Sequence, residues 1–299
     1  MIYIYLNEYK KMLIIIIMKI ITAVVNNPIF IEIQYYTLQK YFQGDYEFIV
    51  FNDAKDFPDF TNGNDITIKN QIEDICSTLK IQCINIPNNN HKQNVCPAGR
   101  CADSMNYILE YQQKNPDNYL LLDSDMFLVD YFDINKYSNY DCAVVLQSRN
   151  EYKINYFWNG IYYFDMIKMK NKELLNWNTS SQCDVGGMMQ EWLKKQMGST
   201  TIPNTDNIRW TNNNFHINDI YFIKHLWSGT WNISELPNKL QDNMKLINFL
   251  ENDSRNSHGK FFCEIYDNVF LHYRASGNWR NEGLDLHKSL SKKLKDALL

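Results

Sequence analysis

The sequence predicts an α/β protein with a mostly parallel central sheet flanked by helices, in a single domain. Three observations predict it. Short β-branched and aromatic runs alternate with helical patterns through the first 130 residues, the signature of strand–helix–strand units. The 299 residues suffice for one large α/β core. Two carboxylates, Asp123 and Asp125, stand at the end of an apolar run, where a parallel strand would leave such a core.

The elements follow in order. KIITAVV (19–25) is β-branched and bounded by Asn26, Asn27 and Pro28, which makes it the first strand. IFIEIQYYTLQKYF (29–42) is a helix with Ile33, Tyr36, Leu38 and Tyr41 on its apolar side. YEFIVFND (46–53) is the second strand, IKNQIEDICSTLK (68–80) a helix and IQCINIP (81–87) the third strand. A polar loop, NNNHKQNVCPAGR (88–100), leads to the helix CADSMNYILEYQQKN (101–115) and the fourth strand, NYLLLDSD. The second half is less regular. YDCAVVLQS (140–148), WNGIYYFD (158–165) and NVFLHYR (268–274) have strand character. GGMMQEWLKKQ (186–196) and NDIYFIKHLW (218–227) have helical character. The tail SLSKKLKDALL places Leu290, Leu294 and Leu298 four apart, as a docked amphipathic helix does.

Residues 1–17 precede the first strand as an extension, and 18–299 form the domain. The apolar stretch Met12–Val25 is broken by Lys19 and is short for a bilayer span. It can be a signal anchor or a buried strand with a leader. The strand is the expectation, with no stable membrane span. A net charge of −4 and the absence of any Lys/Arg run exclude an electrostatic case for nucleic acid. Seven cysteines cannot all pair. His91, Cys96 and Cys101, with Cys83, resemble part of a zinc site, but no CxxC supports it. Reduced thiols, and hence a cytoplasmic location, are expected.

Positions i and i+2 of an extended chain face one side, so Asp123 and Asp125 would repel each other unless a cation lies between them. A hard divalent ion meets that need. The alternative is a turn in which one Asp caps the backbone and the other is solvated.

The order strand, helix, strand, helix, LLLDSDMFLV resembles nucleotide-sugar-dependent glycosyltransferases of the GT-A fold, a Rossmann-like architecture. There the D-x-D triplet, with Ser124 between its carboxylates here, binds Mn²⁺ or Mg²⁺ beside the diphosphate of a UDP-sugar. WNGIYYFD is similar to the N-[SA]-G strand of the glycogenin-like group, family eight, which implies donor-sugar contacts for Asn159 and Gly160; the middle Ser/Ala is missing. FLHYRASGNWR (270–280) resembles that group's late H-x-x-G-x-x-K-P-W motif. The resemblance implies His272 as a third metal ligand, with Arg274, Gly277 and Trp279 near the diphosphate. The Lys is absent, and Arg274 or Arg280 would replace its charge. Arg100, with Asp103 able to pair with it, resembles a basic residue near the donor. Asn26, Asn52 and Asp53 occupy strand ends that meet the nucleoside in such folds. For the carboxylate at the anomeric carbon, CDVGGMMQEWL offers Asp184 and NDIYFIKHLW offers Asp219; each could equally be a helix N-cap.

The resemblance implies a nucleotide-binding half at 18–130 and a donor/acceptor half at 131–299. It implies transfer from a UDP-sugar to a glycan or protein hydroxyl, with retention. HYRxxGNW also resembles glycosyltransferase-like proteins of large DNA viruses, which would place the chain in host cytoplasm. Three rivals remain. A sugar nucleotidyltransferase would need a Gly-rich loop where NNPIF stands. A D-x-D phosphatase carries its triplet on strand one. A non-catalytic sugar- or nucleotide-binding protein could retain the same fold.

Overall fold

Eight strands form the central sheet in the order β4-β3-β1-β5-β9-β8-β11-β10. They are β1 (Met18–Val24), β3 (Tyr46–Asn52), β4 (Gln82–Asn85), β5 (Asn118–Leu122), β8 (Cys142–Arg149), β9 (Ile154–Asp165), β10 (Phe215–Ile217) and β11 (Ile220–Phe222). Strands β1, β3, β4 and β5 run parallel, and β9 and β10 run against their neighbours. The computed structural model describes residues 17–93, 96–149, 151, 153–202, 214–274 and 283–299. Residues 1–16 of the expected extension, Gly277, Trp279 and Arg280 lie outside them.

Central strands buried on both faces become nearly continuous apolar runs, and all five residues of β5 are buried. Two core clusters cover the two sides of the sheet, with Ile21, Leu121 and Phe164 in one and Ile20, Leu120 and Tyr163 in the other. Successive side chains on one strand thus enter opposite layers. No helix of the described residues is long and apolar enough to cross a membrane.

Helix α1 (Pro28–Tyr41) starts with Pro at its first turn, where the missing N–H costs nothing. It buries Phe30, Ile31, Ile33, Gln34, Thr37 and Leu38, while Tyr36 is exposed. The buried face is thus rotated from the predicted one. Gln34 is the polar member of this face, and it holds the site described below. Helix α2 (Ile68–Leu79) follows prediction, and α3 (Pro97–Lys114) begins at Pro97, inside the predicted loop.

The largest departure is at 218–227, which is not a helix. It forms β11 and the short β12 (His225–Leu226). Ile220, Tyr221, Phe222 and Ile223 are all buried, so period alone could not separate strand from helix there. A second sheet, in the order β12-β13-β14-β6, contains β6 (Met126–Leu128), β13 (Glu264–Tyr266) and β14 (Phe270–His272). The β13–β14 turn is closed by Asp267 and Asn268, both at positive φ (48° and 65°), a geometry Asn and Asp tolerate. β2 (Phe42–Gln43) and β7 (Phe132–Asp133) make a small separate pair.

Candidate metal and ligand site

The chain leaves β5 at Leu122, turns through Asp123–Ser124–Asp125 and re-enters the second sheet as β6. The turn is closed by the Met126 N–H donating to the Asp123 carbonyl at 2.9 Å. Gln34 of α1 fixes it from outside, its Nε2 donating to the carbonyls of Asp123 (2.7 Å) and Met126 (3.1 Å). The two charges therefore cap a buried strand on a rigid corner at the carboxyl end of the parallel sheet.

Antiparallel pairing of β14 with β6 sets His272 opposite Met126. That register brings a residue nearly 150 positions away to the triplet. His272 Nε2 lies 3.1 Å from Asp125 Oδ1. One ligand atom from each of Asp123, Asp125 and His272 falls within 4.8 Å of the others, and these residues form the metal-capable group found among the described residues. Two carboxylate oxygens and one imidazole nitrogen are a donor set that a divalent cation can accept. The electrostatics suit a cation too. Burial and the neighbouring Asp125 charge push Asp123 up to about 7. Burial disfavours the imidazolium of His272, but Asp125 and Glu264 on either side outweigh it and raise its pKa to about 10. Crowded acidic groups around one imidazole favour positive charge between them.

Glu264 was missed by sequence reasoning. It faces His272 directly across the β13–β14 pair, and its Oε2 lies 2.9 Å from His272 Nδ1. The Tyr266 hydroxyl donates to the same oxygen at 2.8 Å, and the Ser228 N–H donates to Oε1 at 3.2 Å. Arg274 Nε is 3.5 Å from Oε1. Burial opposes its ionisation, yet His272, Tyr266 and Arg274 hold Glu264 below the usual carboxylate range. A carboxylate on Nδ1 fixes the imidazole so that Nε2 faces the two aspartates. The Asp267–Asn268 turn signal, with its flanking apolar residues, could have revealed this hairpin partner. Glu264→Gln should leave the fold intact and weaken Mn²⁺ binding roughly 10–100-fold, as losses of such outer partners do. Mn²⁺ titration followed by electron paramagnetic resonance measures this, and an unchanged affinity would remove Glu264 from the site.

Two adjoining cavities of about 550 and 460 Å³ open at this cluster. Both are lined by Trp158, Asn159, Asp184, Val185 and His272. The larger continues along the ends of β1, β3 and β5 past Asp53, Lys55, Thr61, Arg100, Ser124 and both aspartates. The smaller lies over Gln147, Ser148, Trp227, Glu264 and Arg274.

Several expected site residues have other surroundings. Asn26 and Asn52 are buried; Asn26 Nδ2 donates to the Thr61 carbonyl, and Asn52 Nδ2 donates to the Lys69 carbonyl. Asp53 does face the larger cavity, but Lys55, Asn88 and Ser104 already hydrogen-bond to its carboxylate. Arg100 does not pair with Asp103. It binds Asp59 and lies over the Phe60 ring, pinning the wall of the cavity, while Asp103 meets His91 at 3.1 Å. Asp59 lies 41 positions from Arg100, which the local pairing argument could not include. Gly160 lies outside both cavity walls. A Cβ there would stand 2.1 Å from the Trp158 ring, so this glycine gives the indole its clearance. Trp158 in turn stacks on Tyr266 at 5.0 Å and 13°.

The two candidate carboxylates separate cleanly. Asp184 is exposed and lines both cavities. Asp219 precedes β11, and its backbone carbonyl accepts from the Asp141 N–H at the opposite end of the sheet, since β11 and β8 run parallel. It is remote from the triplet and caps no helix, because a strand follows it.

No protein-family model and no curated protein matches the chain. Among solved structures, it is similar to the galactosyltransferase LgtC in complex with donor and acceptor sugar analogues. The two are 10% identical, with 63% of this chain and 68% of that chain covered and a TM-score of 0.36.

Proposed function

We propose that the chain is a metal-dependent glycosyltransferase that moves a sugar from a nucleotide-sugar, a UDP-sugar by preference, to an acceptor hydroxyl. The observation that carries this reading is the meeting of two cavities at the Asp123–Asp125–His272 cluster. One cavity would take the nucleotide in the half formed by residues 18–130, and the other the acceptor in the half formed by 131–299. A cytoplasmic setting, host cytoplasm if the source is viral, belongs to the same proposal.

The cluster would hold Mn²⁺ or Mg²⁺, which supplies charge neutralisation for a diphosphate leaving group. Arg274, exposed and beside Glu264, is placed to share that charge. Ser124, whose backbone N–H donates to Asp123 Oδ1 at 2.7 Å, lines the nucleotide cavity between the two aspartates. Asn159, whose Nδ2 is 3.4 Å from Cys101 Sγ, would orient the donor sugar at the junction. Asp184 would stabilise positive charge developing at the anomeric carbon, consistent with transfer by retention. Gly277 and Trp279 stay in the proposal as diphosphate contacts. A screen of nucleotide sugars with Mn²⁺, reading released UDP or GDP, tests the function. Metal-dependent UDP binding with no turnover of any donor would favour the non-catalytic reading.

A pH dependence follows. Asp123 and His272 have pKa values of about 7 and 10, above the ordinary 3.8 and 6.5. Folded-state values raised in this way favour the metal-free fold at low pH. The His272 contribution is complete below about 6.5 and is lost as pH rises through about 10; Asp123 acts in the same direction up to about 7. Divalent ions need the deprotonated donors. The rise in melting temperature caused by Mg²⁺ should therefore be larger at pH 8 than at pH 6. Thermal melts across that range check it, and an equal rise at both values would count against these ligands.

A further inference from the structure

The smaller cavity has a chemistry that the donor does not explain. Two indoles, Trp158 and Trp227, stand in its wall at 81° to each other with centroids 6.5 Å apart. Neither is loose. Trp158 is held on Tyr266, and Trp227 packs on His225 at 4.0 Å and meets Tyr266 nearly perpendicularly. Both remain only partly buried. Around them are neutral polar side chains, Gln147, Ser148 and Ser228, with Asp184 and Glu264 adding negative charge and Arg149 and Arg274 positive charge.

Resting on the glycosyltransferase reading, we propose that this lobe selects a carbohydrate acceptor, with a pyranose ring laid against Trp227. A pyranose has C–H faces that suit a rigid indole and a rim of hydroxyls that both donate and accept. An indole supplies apolar area with little conformational entropy to lose. Amide, hydroxyl and carboxylate groups at the rim match the hydroxyls and orient the ring. A lipid acceptor would need an aliphatic wall, and Leu146 and Val185 are the aliphatic side chains lining this cavity. The shared lining at Asp184 and His272 would bring the acceptor hydroxyl to the same junction as the donor.

Saturation-transfer NMR on the full chain, with UDP and Mg²⁺ present, tests the proposal. The probes are methyl glucoside, methyl galactoside, lactose, maltose and a Ser/Thr/Tyr-containing peptide. At least one saccharide should receive saturation on its ring C–H protons, and the peptide should not. Trp227→Leu should weaken that saccharide's binding tenfold or more. Trp227→Phe, which keeps an aromatic face, should stay within about threefold of the wild type. Peptide-only binding, or equal saccharide affinity in the Leu variant, overturns the carbohydrate assignment. Failure of the wild type to bind UDP with Mg²⁺ overturns the donor reading instead, so the two failures are distinguishable.

Discussion

Asp125→Asn is expected to leave the protein folded and to abolish metal-supported nucleotide binding. Asn keeps the size of the side chain and its turn-forming character, so the corner between β5 and β6 should persist. What is lost is the charge that faces His272 Nε2 at 3.1 Å and crowds Asp123. Loss of an outer partner typically costs 10–100-fold in metal affinity, and loss of a direct ligand should exceed that, about 100-fold or more for Mn²⁺. Removing the Asp125 charge relieves the repulsion that raises Asp123 and at the same time takes away one of the two carboxylates that favour the buried His272 imidazolium. Isothermal titration with UDP, with and without Mn²⁺, gives the readout. If Mn²⁺ still strengthens UDP binding as in the wild type, the triplet is a capped turn and no metal site.

The parts of this site that were legible in the sequence are those written locally. Asp123 and Asp125 interrupt an apolar run, and the apolar run explains the strand as well as its end. His272 stood out because its neighbours resembled a known motif, and the β14–β6 register then supplied the proximity that no local pattern could. Glu264 belongs to the same hairpin but carries no motif, and its importance lies wholly in cross-strand pairing. The misassigned helix at 218–227 shows the opposite failure. A run of four buried apolar residues fits either period, and taking it as helical made Asp219 an N-cap near the site. The true strand β11 runs parallel to β8, which puts Asp219 at the end of the sheet opposite the triplet. Arg100 and Asp103 are adjacent in sequence terms, but loops bearing Asp59 and His91 reach them first.

Gly160→Ala should be a damaging single-methyl change in the site region, and its effect should pass through Trp158. The added Cβ would lie 2.1–2.6 Å from three carbons of that indole. A stacked ring cannot yield by bending a flexible end; it must turn away from Tyr266, on which it lies at 13°. Overpacking of this kind costs about 1–3 kcal/mol. The displacement would also disturb His272, whose ring is 5.1 Å from Trp158, so metal and nucleotide binding should weaken with stability. Denaturant unfolding of Gly160→Ala, Trp158→Ala and the double variant separates this from a direct donor contact. If clearance is the role of Gly160, the double variant should be less destabilised than the sum of the singles, with a coupling of roughly 0.5–3 kcal/mol. Additive losses would show that the methyl group harms something other than Trp158. A loss of donor affinity without any loss of stability would return Gly160 to the sugar-binding role that its N-x-G resemblance implied.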